Sequence, residues 1–213
     1  TTLSYDSDER LVKESVTEQA SKTCMTITYK YDARNREIER VFSASGYPDL
    51  TLRQSFDGNN RLASITLLRD KTELSLERFS YTSGGQLAVY ECSGSQRPLD
   101  ASGKKLSKQT FSYNPLGSLQ QCISVFDGGQ DTATFNYDAK DKTQLRSITH
   151  SATGIGAVTL DYDTFGRLSN NESGYSLTYN NAGQLGQILR SGSDFREYSY
   201  LYDEQGKVGA CFG

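Results

Sequence analysis

The sequence has little of what a conventional globular core requires. Only 35% of its 213 residues are apolar, and it contains no run of about 18 consecutive apolar residues, the length that a membrane-spanning helix needs. A large interior filled with leucine and isoleucine is therefore not expected. A membrane-spanning helix is not expected either.

Residues that bind metals or phosphates are also scarce. The chain has one histidine, His150, and its four cysteines, Cys24, Cys92, Cys122 and Cys211, form no CxxC pair, so a zinc site is not expected. With 23 basic and 26 acidic residues the net charge is −3, which argues against a nucleic-acid partner. The cysteines have two open interpretations: free buried thiols, or one or two disulfides in an exported protein.

A catalytic site cannot be assembled from the sequence. Catalysis needs a nucleophile with a base, a pair of tuned carboxylates, or a metal, and no such set is recognisable. His150 falls on a predicted strand after Leu145, where we expect a half-exposed sheet residue, and no phosphate-binding glycine motif is present. The sequence thus predicts no enzyme, no cofactor and no metal site.

What the chain does contain favours β-structure. It has 14 tyrosines and 19 glycines, and its β-branched and aromatic residues are spread evenly along its length. This composition is typical of strands joined by frequent turns. The predicted class is all-β.

A seven-residue pattern recurs nine times, about every 25 residues. Its positions 1 to 7 read aromatic, Asp, any, any, Gly, Arg, Leu. The longest interval holds a polar stretch near 91–106, which we interpret as a loop excursion, and the shortest, across Asn170 and Gly174, implies curtailed strands. The copies are YDSDERL from Tyr5, YDARNRE from Tyr31, FDGNNRL from Phe56, YTSGGQL from Tyr81, YNPLGSL from Tyr113, YDAKDKT from Tyr137, YDTFGRL from Tyr162, YNNAGQL from Tyr179 and YDEQGKV from Tyr202.

Each position of the motif has a mechanical reason. Asp or Asn at position 2 starts a tight turn by bonding to the backbone two residues on. Gly or Asn at position 5 tolerates a positive φ, which closes a type I turn and adds a β-bulge. Residues alternate with a period of two before and after each turn, as in Val158, Leu160 and Tyr162, so one repeat is one β-hairpin.

Single hairpins are marginal in water, so successive hairpins are expected to pair edge to edge. The sequence therefore predicts repeated antiparallel hairpins in one long curled sheet, with residues 1–213 as a single array of about nine hairpins. The residues expected to carry the structure of the repeat are Tyr31, Asp32, Tyr81, Gly85, Tyr113, Gly117, Tyr137, Asp138, Tyr162, Asp163, Gly166, Arg167, Tyr179, Gly183, Tyr202, Asp203 and Gly206.

The pattern resembles the YD repeat of the RHS family, which includes bacterial polymorphic toxins, the B and C components of insecticidal Tc toxins, and animal teneurins. YDTFGRL from Tyr162 is nearest to the family form, whereas the copies at Tyr81 and Tyr137 are degraded. The resemblance implies a spiral sheet that forms part of a hollow shell. It further implies a structural segment of a larger, secreted or cell-surface bacterial protein, with flanking repeats and an encapsulated C-terminal toxin or effector as partners.

An alternative function is an extracellular module that binds carbohydrate or a receptor. Tyrosine rings stack on sugars, although cross-strand packing accounts for their regular placement more simply. The repeated Asp and Arg side chains suggest a charge array for a ligand, yet turn capping explains them. We also expect some self-association through exposed sheet edges.

Overall fold

The described part of the chain is built from β-strands alone. The structure is a computed structural model that describes residues 1–17, 24–100, 103–171, 173–190 and 195–212. Its strands are β1 (Thr2–Tyr5), β2 (Leu11–Thr17), β3 (Cys24–Tyr31), β4 (Glu37–Ala44), β5 (Leu50–Phe56), β6 (Leu62–Arg69), β7 (Thr72–Tyr81), β8 (Leu87–Gly94), β9 (Leu106–Tyr113), β10 (Leu119–Phe126), β11 (Gly129–Tyr137), β12 (Leu145–His150), β13 (Val158–Thr159), β14 (Asp161–Tyr162), β15 (Leu168–Asn170), β16 (Tyr175–Tyr179), β17 (Leu185–Arg190), β18 (Arg196–Tyr202) and β19 (Val208–Phe212).

The strands follow one another in chain order. Strands β1 to β13 form one sheet and β14 to β19 a second, each strand hydrogen-bonded to its neighbours in sequence. Only Leu160 separates β13 from β14, and its N–H donates to the carbonyl of Arg146 at 2.9 Å. The predicted all-β class of repeated antiparallel hairpins is confirmed. In the described ranges no helix has the length and apolar character needed to cross a membrane.

The strands flank the motifs as the alternating residues predict, and the structure differs from the sequence interpretation in the long interval. The predicted loop near 91–106 is shorter, because β8 continues to Gly94 and β9 already begins at Leu106. Within it, Leu99 and Lys105 pair across a small turn. The short interval has the curtailed strands that its length implies, since β15 has three residues and β16 five.

The residues divide into two compact units. The first comprises residues 1–112 and 123–130. Tyr90, Cys92 and Leu106 form a cluster of buried residues in this unit, with Phe79 among the partly buried side chains packed against them. The rings of Phe79 and Tyr90, which lie opposite each other on β7 and β8, are 5.4 Å apart in a tilted arrangement. This cross-strand aromatic pair is therefore part of the core of this unit.

The second unit comprises residues 113–122 and 131–213. Apolar cross-strand neighbours follow one face of its strands, as where Ile188 lies opposite both Leu177 and Tyr198. The opposite face carries polar neighbours such as Thr178 and Gln187. This alternation is the period-two pattern that the sequence predicts.

Both faces of the sheets remain widely accessible. The chain exposes 13778 Å², whereas a globular monomer of 23.6 kDa is expected to expose about 9,800 Å². Among the described residues no large side chain is completely buried. Hydrogen bonding and cross-strand packing within the sheet therefore have a larger share in stability than burial between layers.

Gly94, at the end of β8, lies against the backbone of β7, so a substitution there tests how closely the two strands pack. Its φ is +101°, and an added Cβ would collide with the backbone carbonyl of Leu74. We expect Gly94→Ala to lower the free energy of unfolding by about 3 kcal/mol. Gly46 is the matched control, because its φ is also positive at +82° but nothing lies within 4 Å of the added Cβ. Gly46→Ala should cost only about 1 kcal/mol. Equal losses in urea denaturation would contradict the account.

Candidate functional site: the stacked turns

Eight of the nine motifs fold into the same turn, which we call the YD turn. In the copy from Tyr162, the N–H of Asp163 donates to the carbonyl of Arg167 at 2.8 Å, and the N–H of Gly166 donates back to the carbonyl of Asp163 at 3.0 Å. The Asp163 Oδ1 accepts from the N–H groups of Phe165 and Arg167 at 2.9 and 3.0 Å. One carboxylate oxygen thus holds the whole turn.

The same side-chain oxygen is used at position 2 of most other copies. It binds the N–H groups of positions 4 and 6 at Asp6, Asp32, Asp57, Asn114, Asn180 and Asp203. In the copy from Tyr81 the hydroxyl of Thr82 substitutes, accepting from the N–H of Gln86 at 3.2 Å. The side-chain oxygen of Asn accepts the same two N–H bonds as that of Asp, which explains why both residues occur at position 2.

Position 5 has the left-handed backbone that the sequence predicts. Its φ lies between +60° and +85° in eight of the nine copies, at Glu9, Asn35, Asn60, Gly85, Gly117, Gly166, Gly183 and Gly206. The pairing register also shifts just before position 1, as between Asp161 and Tyr162, which is the predicted bulge. The turn and the bulge together fix where each hairpin begins.

The tyrosine hydroxyl at position 1 reaches the preceding copy. In the clearest case the hydroxyl of Tyr162 donates to the carbonyl of Leu145 at 2.8 Å. Six tyrosine hydroxyls make bonds of this form at 2.7 or 2.8 Å, always to the residue that starts the preceding return strand: Tyr31 to Leu11, Tyr81 to Leu62, Tyr137 to Leu119, Tyr162 to Leu145, Tyr179 to Leu168 and Tyr202 to Leu185. Each of these tyrosines therefore ties its own turn to the turn before it.

The arginine at position 6 reaches in the opposite direction. The Nε of Arg167 donates to the Oδ2 of Asp163 at 2.7 Å, and its guanidinium lies 4.5 Å from the ring centroid of Tyr179 in the next copy. The pairs Arg10 with Tyr31, Arg36 with Phe56 and Arg61 with Tyr81 have the same arrangement. Arg10 and Arg36 also donate to the position-5 side chains Asn35 and Asn60 at 2.7 and 2.6 Å.

Such contacts favour the ionised form of the motif carboxylates Asp32 and Asp138. The Arg36 side chain, helped by the N–H groups of Arg36 and Arg34, lowers the pKa of Asp32 to about 2. The N–H groups of Asp141 and Lys140 lower the pKa of Asp138 to about 2 as well. A carboxylate that accepts several hydrogen bonds resists protonation. The negative charge at position 2 is thus stabilised by N–H groups and an arginine close to it in the sequence.

The copy from Tyr137 differs from its sequence assignment. Tyr137 pairs with Leu145, two residues later than the motif places its partner, and the N–H of Asp138 donates to the carbonyl of Gln144. The turn is therefore longer than YDAKDKT indicates, and no residue in it has a positive φ. Arg146 supplies the arginine contacts, 3.0 Å from the Oδ2 of Asp138 and 5.2 Å from the ring centroid of Tyr162.

Two further turns of the same kind escaped the sequence search. Asp100 and Gly103 form one inside the long interval, flanked by the pair of Leu99 and Lys105, and Asn171 and Gly174 form another between β15 and β16. Position 1 is Leu99 in the first of these turns and Asn170 in the second, so neither begins with an aromatic residue. A search based on Asp or Asn followed three residues later by Gly, without the aromatic, would have found both.

His150 lies on β12, as predicted, but is more buried than expected. Its Nδ1 is 2.7 Å from the Oδ2 of Asp131, and the other carboxylate oxygen accepts from the N–H groups of Ser151 and Ala152. Burial raises the pKa of Asp131, but the bonds from His150 and these N–H groups outweigh it and the pKa lies below its usual value. The Ser151 hydroxyl accepts a hydrogen bond from the N–H of Thr132. These bonds hold the C-terminal end of β12 against β11.

The four cysteines are free in this structure, and two of them are buried as the thiol interpretation expects. Cys92 and Cys122 are buried, Cys24 is half-buried and Cys211 is exposed. The Cys92 thiol donates to the carbonyl of Leu106 at 3.0 Å, and burial raises its pKa. Within the described ranges, no three or more His, Cys, Asp and Glu side chains group as metal ligands would.

The tyrosine bond can be measured by removing one hydroxyl. We expect Tyr162→Phe to lower the free energy of unfolding by about 1 kcal/mol, because the carbonyl of Leu145 loses its donor. Tyr5→Phe is the matched control. Tyr5 is 58% exposed, and its hydroxyl has no bond within the described residues. A loss for Tyr5→Phe as large as for Tyr162→Phe in chemical denaturation would contradict the assignment.

The capping carboxylate gives stability a defined pH dependence. Because the pKa of Asp32 is lowered to about 2 on folding, its contribution is complete above its ordinary pKa of 3.8 and is lost as the pH falls toward 2. Asp32→Asn should therefore be less stable than the parent at pH 7, and the difference in urea midpoint should close in acid. A difference that is constant from pH 7 to pH 2 would refute this role.

Similarity to known proteins is found at the level of structure. No family model and no curated protein matches the chain. The crystal structure of TcdB2-TccC3-Cdc42 matches 97% of this chain with a TM-score of 0.67 and 18% identity. The crystal structure of TcdB2-TccC3 and a structure of the Photorhabdus luminescens Tc holotoxin pore match 97% and 98% of it, each with a TM-score of 0.54 and 15% identity.

This chain spans only 12% or 13% of the length of those proteins. At such identities the likeness concerns the fold, and it extends along nearly the whole of the present chain. The motif that suggested the resemblance is also the element that builds the observed hairpins. The chain therefore has the fold of a segment of the TcdB2-TccC3 Tc toxin proteins, as its resemblance to the YD-repeat family predicted.

Proposed function

We propose that the chain is a wall segment of an RHS-type shell that encapsulates a C-terminal toxin or effector and helps to deliver it, without catalysis of its own. The observation that carries the proposal is the coupling of successive YD turns by Tyr hydroxyls and Arg side chains. Side chains that would attract a substrate are used to join one hairpin to the next. A wall requires this continuity.

The chemistry of the motif fits a barrier better than a binding surface. Asp163, for example, accepts from two N–H groups and from Arg167, so few of its lone pairs remain for a ligand. In the first unit, the Glu39 carboxylate likewise forms ion pairs with the Lys30 Nζ and the Arg53 Nε, at 2.7 and 2.8 Å. Charges that are neutralised within the sheet give a surface on which an unfolded chain is not held tightly.

The accessible faces of the sheet also support this proposal. A single sheet layer leaves two surfaces open, and in a shell one would face the solvent and the other the enclosed chain. The fold likeness to Tc toxin proteins favours a secreted bacterial toxin component with flanking repeats as its neighbours. The sheet then separates two compartments, and the loss of any one hairpin would open a gap.

The test uses the complete protein from which this chain comes, with its effector. Tyr162→Ala should make the effector sensitive to added protease, because a coupling point of the wall is lost. Tyr47→Ala is the control, since Tyr47 is 73% exposed and lies outside the motif. The effector should stay protected in that variant. An effector equally sensitive in the unmodified protein would refute encapsulation, as would a reading frame that encodes no further polypeptide for the shell to enclose.

A second candidate, carbohydrate binding, has one observation in its favour. Tyr175, Tyr198 and Tyr200 line a shallow depression of about 290 Å³ together with Asn171 and Ile188. Aromatic rings beside an amide are a common surface for sugars. The depression is open and Asn171 Oδ1 already caps a turn, so the wall function remains our preferred one.

A glycan array separates the two candidates. The wall proposal predicts the same background signal for the unmodified chain and for Tyr198→Ala. A saturable signal that Tyr198→Ala abolishes, with the melting temperature unchanged, would instead establish a binding module. Tyr47→Ala serves again as the control for an exposed tyrosine outside the depression.

A further inference from the structure

Two neighbouring rows of side chains cross one face of the first unit. Residues that pair across adjacent strands project to the same face, so the register defines each row. The two rows share this face because Ser64 and Thr66 lie two residues apart on β6. We call these residues the basic band: Lys30, Glu39, Arg53, Thr66, Leu76 and Ser93 in the first row, and Ser55, Ser64, Arg78, Glu91 and Lys108 in the second.

The basic band keeps a positive charge in an acidic chain. Its net charge is +2, from four cations and two carboxylates, whereas that of the whole chain is −3. The Glu39 carboxylate pairs with both Lys30 and Arg53, whose side chains are 71% and 57% exposed, and it neutralises only one of them. Glu91 pairs with Lys108 at 3.0 Å. The remaining positive charge is therefore accessible to a partner.

The place for an acidic group lies over β6, between Arg53 and Arg78. Strand β6 contributes only uncharged side chains to the band, including Ser64. Arg53 donates to Glu39 through its Nε, so its two Nη groups can donate to a second carboxylate. Arg78 is exposed on the other side of β6. An open depression of about 600 Å³ has Arg53 and Ser64 in its lining. A carboxylate from outside the chain fits here.

The spacing of the cations indicates the shape of the partner. They lie on the alternate strands β3, β5, β7 and β9, so neighbouring cations are about 10 Å apart across the sheet. A polyproline II helix repeats every three residues, or about 9 Å, whereas same-face residues of a β-strand repeat at about 7 Å. The long side chains absorb the offset between the two rows. The band has no aromatic ring on which nucleic-acid bases stack.

We propose that the basic band binds an acidic segment of a second protein, in polyproline II conformation, with a carboxylate at every third residue. One of these carboxylates lies between Arg53 and Arg78 over β6, and its neighbours lie beside Lys30 and Lys108. Contacts between exposed charges are individually weak and are screened by salt. A chain without this acidic pattern is not held. The inference rests on the basic band alone and does not depend on the proposed shell function.

Two fluorescent peptides of identical composition test the spacing. In the first, four glutamates are each separated by two prolines, which impose the polyproline II conformation. In the second, the same four glutamates are contiguous. At low ionic strength we expect the first peptide to bind the chain about fivefold more tightly in fluorescence anisotropy. Its binding should be lost at about 0.5 M salt. Equal affinities, or no binding of either peptide, would overturn the proposal.

Paired substitutions test the location. Arg53→Gln with Arg78→Gln should weaken binding of the first peptide by about tenfold, and the charge-retaining pair Arg53→Lys with Arg78→Lys should keep most of it. Arg69→Gln with Lys71→Gln is the matched control, because it removes the same charge at the turn between β6 and β7, outside the band. Urea midpoints confirm that each variant is folded. Equal weakening in the control would overturn the proposal.

Heparin and single-stranded DNA test the class of partner. Tighter binding of either polymer than of the first peptide, lost with Arg53→Gln and Arg78→Gln, would overturn the assignment to an acidic polypeptide. Weaker binding of both would support it. None of these outcomes changes the expected protection of the effector, so the shell function is tested separately.

Discussion

The hydrogen bond from each tyrosine hydroxyl to the carbonyl at the start of the preceding return strand is the contact on which this structure depends. A hairpin alone is marginal, and the described sheets have no completely buried large side chain to stabilise them. The bond from Tyr162 to Leu145 joins one hairpin to the next at the turn, where the strand ladder ends. Repeated along the chain, it converts separate hairpins into a continuous sheet.

The other recurring features of the motif support this bond. Asp163 shapes the turn and holds Arg167, and Arg167 in turn covers the ring of Tyr179. Gly183 leaves room beside that guanidinium, 3.7 Å from where a Cβ would lie. The spacing of the motif thus reflects a set of contacts that extends over two copies.

The sequence was sufficient for the local structure, because turn residues act on their own neighbours. Asp at position 2 and Gly at position 5 predicted the YD turns, and the alternating residues predicted the strands. The acceptor of each tyrosine hydroxyl and the ring beneath each arginine were not predictable, since they belong to another copy some 20 residues away in the sequence. The longer turn after Tyr137 and the turn at Asp100 were missed because the search required an unbroken, aromatic-led motif.

A double-mutant cycle on Arg61 and Tyr81 tests most directly whether the motif couples neighbouring copies. The Arg61 guanidinium lies 4.5 Å from the ring centroid of Tyr81, which also bonds the carbonyl of Leu62. With Arg61→Ala and Tyr81→Ala, the account predicts a coupling free energy of about 0.5–1 kcal/mol in urea denaturation. Arg61 and Tyr162, which belong to different pairs, should give none. Strictly additive losses for Arg61 and Tyr81 would contradict the coupling of copies on which the account is built.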